Sequence, residues 1–358
     1  PVLIHVVTEK GKGYQYAEQS PEIFHGIGPF DLNNGLPLKK KKSLTYTEVF
    51  GLALLNLARE NPKIVAITAA MTAGTGLSKF SREFPDRFYD VGIAEQHGVT
   101  LAAALAAGGM RPVLAVYSTF LQRAYDQILH DTCLQKLPVV FAVDRAGIIG
   151  EDGETHQGLF DLSYLRNIPN MSIMAPANEA ELQDMLSTAL SYNDGPVAIR
   201  YPRDKVEGVE LNEPHRLPWG RGELLRQGKD LLIIAAGTIV NTAMTAAEQL
   251  FWYGLKVAVI NARFVKPLDE ELILKWAQKC RRTITIEENV LAGGFGSGIL
   301  ELFEKRGICL PVKRLGIDDQ FVGHGMRAQI LAYYNLDVNA IVDSALAFTG
   351  AKAMKGQT

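Results

Sequence analysis

Cysteine is scarce in this chain: Cys133, Cys280 and Cys309 are the only three in 358 residues, widely separated and without a CxxC pair. An odd, scattered set of thiols excludes a disulfide framework and a zinc ribbon. It suits a reducing compartment, the cytoplasm, or a plastid stroma in a plant. Long hydrophobic runs are missing as well. The longest, residues 101–110, falls well short of the roughly 18–20 residues that span a bilayer, so no membrane role is expected. Charge of one sign is not in excess either, since 37 Lys plus Arg stand against 39 Asp plus Glu, a formal net of -2. Without a basic field, nucleic acid is not an expected partner. No internal repeat or low-complexity tract occurs, and 47% hydrophobic with 21% charged residues excludes a disordered class.

What is present is alternation. A chain of this length predicts about two domains, each able to bury a core without staples. Apolar runs of strand length (63–68, 111–117, 137–144, 171–175 and 196–201) alternate with helical patterns at 47–59, 95–108, 120–135 and 179–192. Residues 202–221 change character: Pro202, Pro214 and Pro218 with several charges and no apolar period read as a linker. The alternation then resumes, with strands at 230–235, 256–261, 282–287 and 312–316 and helices at 242–253, 270–280 and 298–305. Such repetition predicts an α/β fold of two doubly wound, mainly parallel sheets, one over residues 43–203 and one over 222–358, joined by a linker at 204–221. Residues 1–42 fit neither. Their apolar start, Val2 to Val7, reads as a buried strand, so the chain is expected to be a fragment or a processed piece. Four lysines at 39–42 read as a solvated connector rather than an import or nucleic-acid patch.

Ligands on doubly wound sheets sit beyond the carboxyl ends of strands, which directs attention to the loops there. Phe88-Tyr89-Asp90-Val91-Gly92-Ile93-Ala94-Glu95-Gln96-His97 runs a short strand into an alanine-rich helix. Glu95 then opens that helix, either as an acid stabilised by the dipole or as a functional carboxylate. Tyr117-Ser118-Thr119-Phe120-Leu121-Gln122-Arg123 is a second strand end. Arg145 ends the next strand and Arg203 a later one. A single strand-end arginine usually makes a surface ion pair, whereas Arg123, Arg145 and Arg203 on one edge suggest an anion site. Gly150 to Gly158 is a polar loop with Asp152 and His156, either solvated or catalytic. Asn178 reads as a helix N-cap with Glu181 completing a capping box, not as part of a metal motif. In residues 287–298 the glycines read as close backbone packing, since the spacing is not GxGxxG. His130, His215 and His324 read as structural.

Taken together these motifs resemble the C-terminal part of the 1-deoxy-D-xylulose-5-phosphate synthase family, thiamine-diphosphate enzymes related to transketolase. The likeness covers essentially the whole chain. It runs from His5-Val6-Val7-Thr8-Glu9-Lys10-Gly11-Lys12-Gly13-Tyr14 and Phe24-His25-Gly26 through Met71-Thr72-Ala73-Gly74-Thr75-Gly76-Leu77 and Gly92-Ile93-Ala94-Glu95-Gln96-His97. It continues through the Tyr117–Gln127 stretch, Asp144-Arg145-Ala146-Gly147, Glu151-Asp152-Gly153-Glu154-Thr155-His156-Gln157-Gly158 and Tyr201-Pro202-Arg203. The resemblance implies that Glu95 hydrogen-bonds the cofactor's aminopyrimidine and so activates its thiazolium carbon. Met71, Ile93, Phe120 and Lys10 would also hold the cofactor. Tyr117, Arg123, Arg145 and Arg203 would bind the substrates' phosphate and carboxylate, while Asp152, His156 and His25 would contact hydroxyls and move protons. The implied reaction joins pyruvate, after loss of CO2, to D-glyceraldehyde 3-phosphate, in a homodimer. The family's Mg2+ and diphosphate motif, of GDG type, is not found here. No metal ligand is therefore expected in this chain, and a complete site would need the N-terminal polypeptide that bears that motif. The rival readings are the beta subunit of a 2-oxoacid dehydrogenase decarboxylase, which would begin near Leu44, and a non-catalytic assembly module, which would not need Glu95.

Overall fold

A computed structural model describes residues 1–21, 23–38 and 43–351. The lysine run at 39–42 lies outside the described residues. Packing separates the chain into two units, Pro1–Leu44 and Thr45–Thr358. In the first, the expected strand at residues 2–7 is not formed. Val2, Leu3, Ile4, Val6 and Val7 are exposed, and no described strand pairs with them. A single apolar segment cannot satisfy its own backbone groups, so without a neighbour it stays irregular. The unit is held instead by a short helix, α1 (Gln15–Gln19), and an aromatic knot of Tyr14, Tyr16, Phe24 and Phe30 with ring centroids 5.1–5.7 Å apart.

The second unit carries both sheets. Its elements run α2 (Tyr46–Glu60), β1 (Ile64–Thr68), α3 (Ser78–Glu83), β2 (Phe88–Asp90), α4 (Glu95–Ala107), β3 (Arg111–Tyr117), α5 (Ser118–Leu121), α6 (Tyr125–Gln127) and β4 (Val140–Asp144). They continue with α7 (Asp161–Arg166), β5 (Ser172–Met174), α8 (Glu179–Ser191), β6 (Val197–Arg200), β7 (Glu223–Arg226), β8 (Leu231–Ala235), α9 (Ile239–Trp252), β9 (Val257–Asn261) and β10 (Phe264–Lys266). Last come α10 (Glu270–Cys280), β11 (Thr283–Val290), α11 (Phe295–Lys305), β12 (Val312–Ile317), α12 (Arg327–Tyr333) and α13 (Val338–Thr349). The larger sheet has the order β10-β5-β6-β4-β3-β1-β2 and the smaller β12-β11-β8-β9-β7. All pairs are parallel except the edge strands β10 and β7. Strands β1, β4, β6, β8 and β9 are buried along their whole length, as strands covered by helices on both faces must be.

Three local readings change. The helix expected over 120–135 is broken into α5, a 3-10 turn (Gln122–Ala124), α6 and a π-helical turn (Ile128–Cys133), where the Thr132 hydroxyl bonds the Ile128 carbonyl at 2.5 Å. Asn178 does cap α8 through the Glu181 N–H at 2.9 Å, but Glu181 accepts from the Ala177 N–H and from Asn261 and Arg263, so the reciprocal half of a capping box is not made. Residues 204–221 are a strap rather than a free linker. The Glu179 carboxylate takes the N–H groups of Glu207, Gly208 and Val209, while Asp184 and Thr188 take those of His215 and Leu217.

The glycine loop after β11 is close packing, as read. A Cβ on Gly294 would stand 2.2 Å from Glu287 Oε2. That carboxylate, fully buried, accepts from the Phe295 and Gly296 N–H groups at 2.6 and 2.8 Å. Burial nonetheless outweighs these donors and pushes the Glu287 carboxyl up to about 7. A carboxyl raised above its unfolded value gives stability that is complete below that value, near 4.5, and is lost as pH rises through about 7. Melting temperature should therefore carry a fall between about pH 5 and 8 that Glu287→Gln removes. Parallel melting curves for parent and variant across that range would mean that Glu287 does not titrate.

Candidate active site

The site collects at the carboxyl edge of the larger sheet. Strand β3 delivers Tyr117, β4 delivers Asp144 and Arg145, and the chain leaving β6 delivers Arg203. The loop after β1 carries Met71 and Gly74, and the turn after β2 leads through Ile93 to Glu95, the first residue of α4. Glu95 is 2% exposed, yet its Oε2 reaches a half-exposed partner, accepting from Arg123 Nη1 at 2.8 Å. Arg123 sits on the 3-10 turn that interrupts the expected helix.

Aromatic groups line the next layer. Phe120 stacks on Tyr117 at 5.7 Å and meets the His156 ring edge-on at 5.3 Å. His156 comes from the polar loop, whose base is closed by paired N–H···O bonds between Gly147 and Gly158 at 2.7 and 2.9 Å. Only glycine fits at 158, because a Cβ there would lie 2.1 Å from the Arg145 carbonyl. Thr119 Oγ1 donates to the Thr155 carbonyl at 3.0 Å, which ties the loop tip to α5. A groove of about 680 Å³ opens between these elements, lined by Phe120, Arg123, Thr155, Gln157, Phe160 and Phe321 among others.

Beside it lies the arginine cluster. The Arg145 guanidinium lies 3.6 Å over the Tyr117 ring and donates through Nη1 to the Gly74 carbonyl at 2.9 Å. Asp152 Oδ2 is 3.8 Å from Arg145 Nε and forms an ion pair with Arg203. Arg145 and Arg203 thus share the Asp152 carboxylate, and Asp144 Oδ1 stands 3.8 Å from Arg145 Nη1, so two guanidinium groups that could pair with an anion face two carboxylates. Behind Arg145, the buried Asp144 has its carboxyl raised to about 6 by desolvation, against the pull of Arg145, Thr47 and Arg203.

Of the residues singled out from sequence, Glu95 and Arg123 form one pair, while His156, Phe120, Tyr117, Arg145, Asp152 and Arg203 form one chain of contacts. Met71 is 8% exposed within the core, whereas Ile93 is 80% exposed. Lys10 and His25 belong to the first unit, where both are exposed and His25 ends a 3-10 turn (Ile23–His25). Sequence reading missed Asp90. Its carboxylate takes the Ala70 and Gly92 N–H groups and the Thr72 hydroxyl at 2.8–3.0 Å, pinning the loop after β1 to the turn before Glu95. The signal was present, an aspartate at a strand end two residues before glycine, which is Asx-turn chemistry.

Chemically, a buried carboxylate at a helix start, paired with one half-exposed guanidinium, can accept a further hydrogen bond from a donor brought to it. Among the described residues no three His, Cys, Asp or Glu side chains converge as metal ligands. Nor is any helix among them long and apolar enough to cross a membrane.

A family model described as "Transketolase, pyrimidine binding domain" matches residues 42–208, and "Transketolase, C-terminal domain" matches residues 220–341. A 1-deoxy-D-xylulose-5-phosphate synthase from Halothermothrix orenii is 59% identical over 350 residues, 97% of this chain and 55% of the relative. That from Pelotomaculum thermopropionicum is 58% identical over 350 residues, 97% of this chain and 54% of its own. The chain therefore spans about half the length of the curated relatives it matches. Among solved structures, a chain described as a split gene transketolase, an inactive beta4 tetramer, superposes with a TM-score of 0.77 at 32% identity, covering 86% of this chain and 99% of that one. Transketolase from Campylobacter jejuni gives 0.72 at 21% identity, covering 86% and 47%, a likeness of fold alone.

Proposed function

The chain belongs to the transketolase family, and on that footing we propose that it supplies the pyrimidine-binding half of a 1-deoxy-D-xylulose-5-phosphate synthase. Such a transferase removes CO2 from pyruvate and passes the two-carbon unit to D-glyceraldehyde 3-phosphate, feeding isoprenoid and thiamine synthesis. The observation that carries the reading is Glu95, a carboxylate 2% exposed at the start of α4, on the same sheet edge as the arginines around Asp152. Thiamine diphosphate, when bound, supplies the electron sink for decarboxylation.

Glu95 would hold the proton shared with a ring nitrogen of the aminopyrimidine, while Phe120 packs on the ring face. Met71 and Ile93 would support the cofactor from its apolar side. Arg145 and Arg203 would take the acceptor's phosphate, with Tyr117 and Arg123 shaping the donor's carboxylate site. Asp152 and His156 would bond acceptor hydroxyls and carry protons. Polypeptide outside these residues would supply the Mg2+ ligands. The working form we assign is a cytoplasmic homodimer.

The full-length protein should release CO2 from pyruvate in step with consumption of D-glyceraldehyde 3-phosphate, followed by coupled product assay. Two-carbon transfer from a ketose phosphate without CO2 would make it a transketolase proper. Acyl transfer to a lipoyl carrier would make it a dehydrogenase subunit.

A further inference from the structure

Resting on the assignment of Arg145 to the acceptor's phosphate, we infer that Asp144, clamped by Thr47, is a positioning residue that holds the Arg145 guanidinium in its phosphate-binding pose. Asp144 ends β4 with no exposure, and no substrate atom can reach it. One carboxylate oxygen accepts from the N–H of Arg145 itself at 2.7 Å, and the other from Thr47 Oγ1 at 2.8 Å, a residue 97 positions earlier in the first turn of α2. The short bond to the Arg145 N–H matters because Arg145 has φ +56, the left-handed region that residues with a Cβ avoid. The turn there is set by Asp144, not by a glycine.

The guanidinium is then fixed from the remaining sides. The Tyr117 ring supports it, the Gly74 carbonyl accepts from Nη1, and Asp144 Oδ1 lies 3.8 Å from the same nitrogen. The Gly74 loop is itself seated on α2. A Cβ on Gly51 would stand 2.2 Å from the Gly76 carbonyl, and one on Gly76 2.4 Å from the Thr47 carbonyl. One helix therefore anchors both the loop that accepts from the guanidinium and the hydroxyl that clamps the carboxylate. Arg145 Nε is buried and makes no hydrogen bond among the described residues, with Asp152 Oδ2 3.8 Å away. An exposed arginine would sample many rotamers, so the frame lowers the ordering cost of each phosphate bond.

The test uses the full-length enzyme. Asp144→Asn keeps the shape and can still bond Thr47 and the Arg145 N–H, but loses the charge. It should raise the Michaelis constant for D-glyceraldehyde 3-phosphate about tenfold and leave that for pyruvate in place. Thr47→Val, which removes the clamp without touching the carboxylate, should move the same constant in the same direction and covers the case in which the Asn protein folds poorly. If Asp144 acts through Arg145, then in an Arg145→Ala background Asp144→Asn should change the acceptor constant by less than about twofold. Additive effects, or unchanged acceptor constants in Asp144→Asn and Thr47→Val while Arg145→Ala raises its own, overturn the inference alone. An Arg145→Ala protein with an unchanged acceptor constant overturns the assignment of Arg145 and the inference together.

Discussion

Glu95→Gln in the full-length enzyme should leave a folded protein whose turnover is lower by about 10²–10⁴-fold, the range that a positioned general acid–base supplies. The fold should survive because the amide has the same shape and its oxygen can still accept from Arg123 Nη1, a 2.8 Å contact to a half-exposed guanidinium. What the amide cannot do is hold and return a proton at the pyrimidine nitrogen. The carboxylate's setting makes this loss severe, for at 2% exposure no water can take over the role. Deuterium exchange at the thiazolium carbon of bound cofactor, followed by NMR after acid quench, reads the step directly. Exchange as fast as in the parent would remove Glu95 from the chemistry and leave it as a helix-terminal acid.

The second large effect belongs to the arginine cluster. Arg145→Ala and Arg203→Ala should each raise the Michaelis constant for D-glyceraldehyde 3-phosphate by about tenfold or more, since a charge-assisted hydrogen bond contributes on the order of 1.5–3 kcal/mol. The constant for pyruvate should move far less. Arg145 should show the larger change, being 12% exposed and stacked on Tyr117, whereas the Arg203 side chain is 45% exposed and shares Asp152. An exposed ion pair contributes little, so Asp152 competes only weakly with a phosphate for Arg203. Equal increases for both substrates would move these arginines to the donor or to a structural role.

How far the sequence carried these conclusions differs by residue. Helix α10, whose apolar period is clear and whose N-cap Asp269 bonds the Leu272 N–H, matches its expected range Glu270–Cys280. Glu95 opens a helix as the pattern indicated, because a glycine turn at Gly92 separates it from β2. The edge positions of Tyr117, Arg145 and Arg203 followed from strand ends alone. The strand at residues 2–7 failed for the opposite reason: a strand is a pairing, and composition does not say whether a partner exists. Asp144 and Thr47 went unseen because their bond spans 97 positions, which no local period encodes, whereas Asp90 did carry a local turn signal in Gly92. Strand β10 was missed since three residues, Phe264-Val265-Lys266, offer too little alternation before Pro267.

That small strand has a consequence for how the protein can be divided. It comes from the later half of the chain, yet it closes the edge of the larger sheet antiparallel to β5, at the pair Phe264↔Met174. Lys266 then bonds the carbonyls of Arg166 and Ile168 at 2.9 and 2.6 Å, and one apolar cluster runs from Ile67 and Phe141 through Ile234, Val265 and Phe295. A gene cut within the strap at 204–221 would consequently strip the first half of its edge and open β5 to association with foreign strands. The two sheets share one packed apolar cluster, and excising either as a stand-alone module would require redesigning the face that the other now covers.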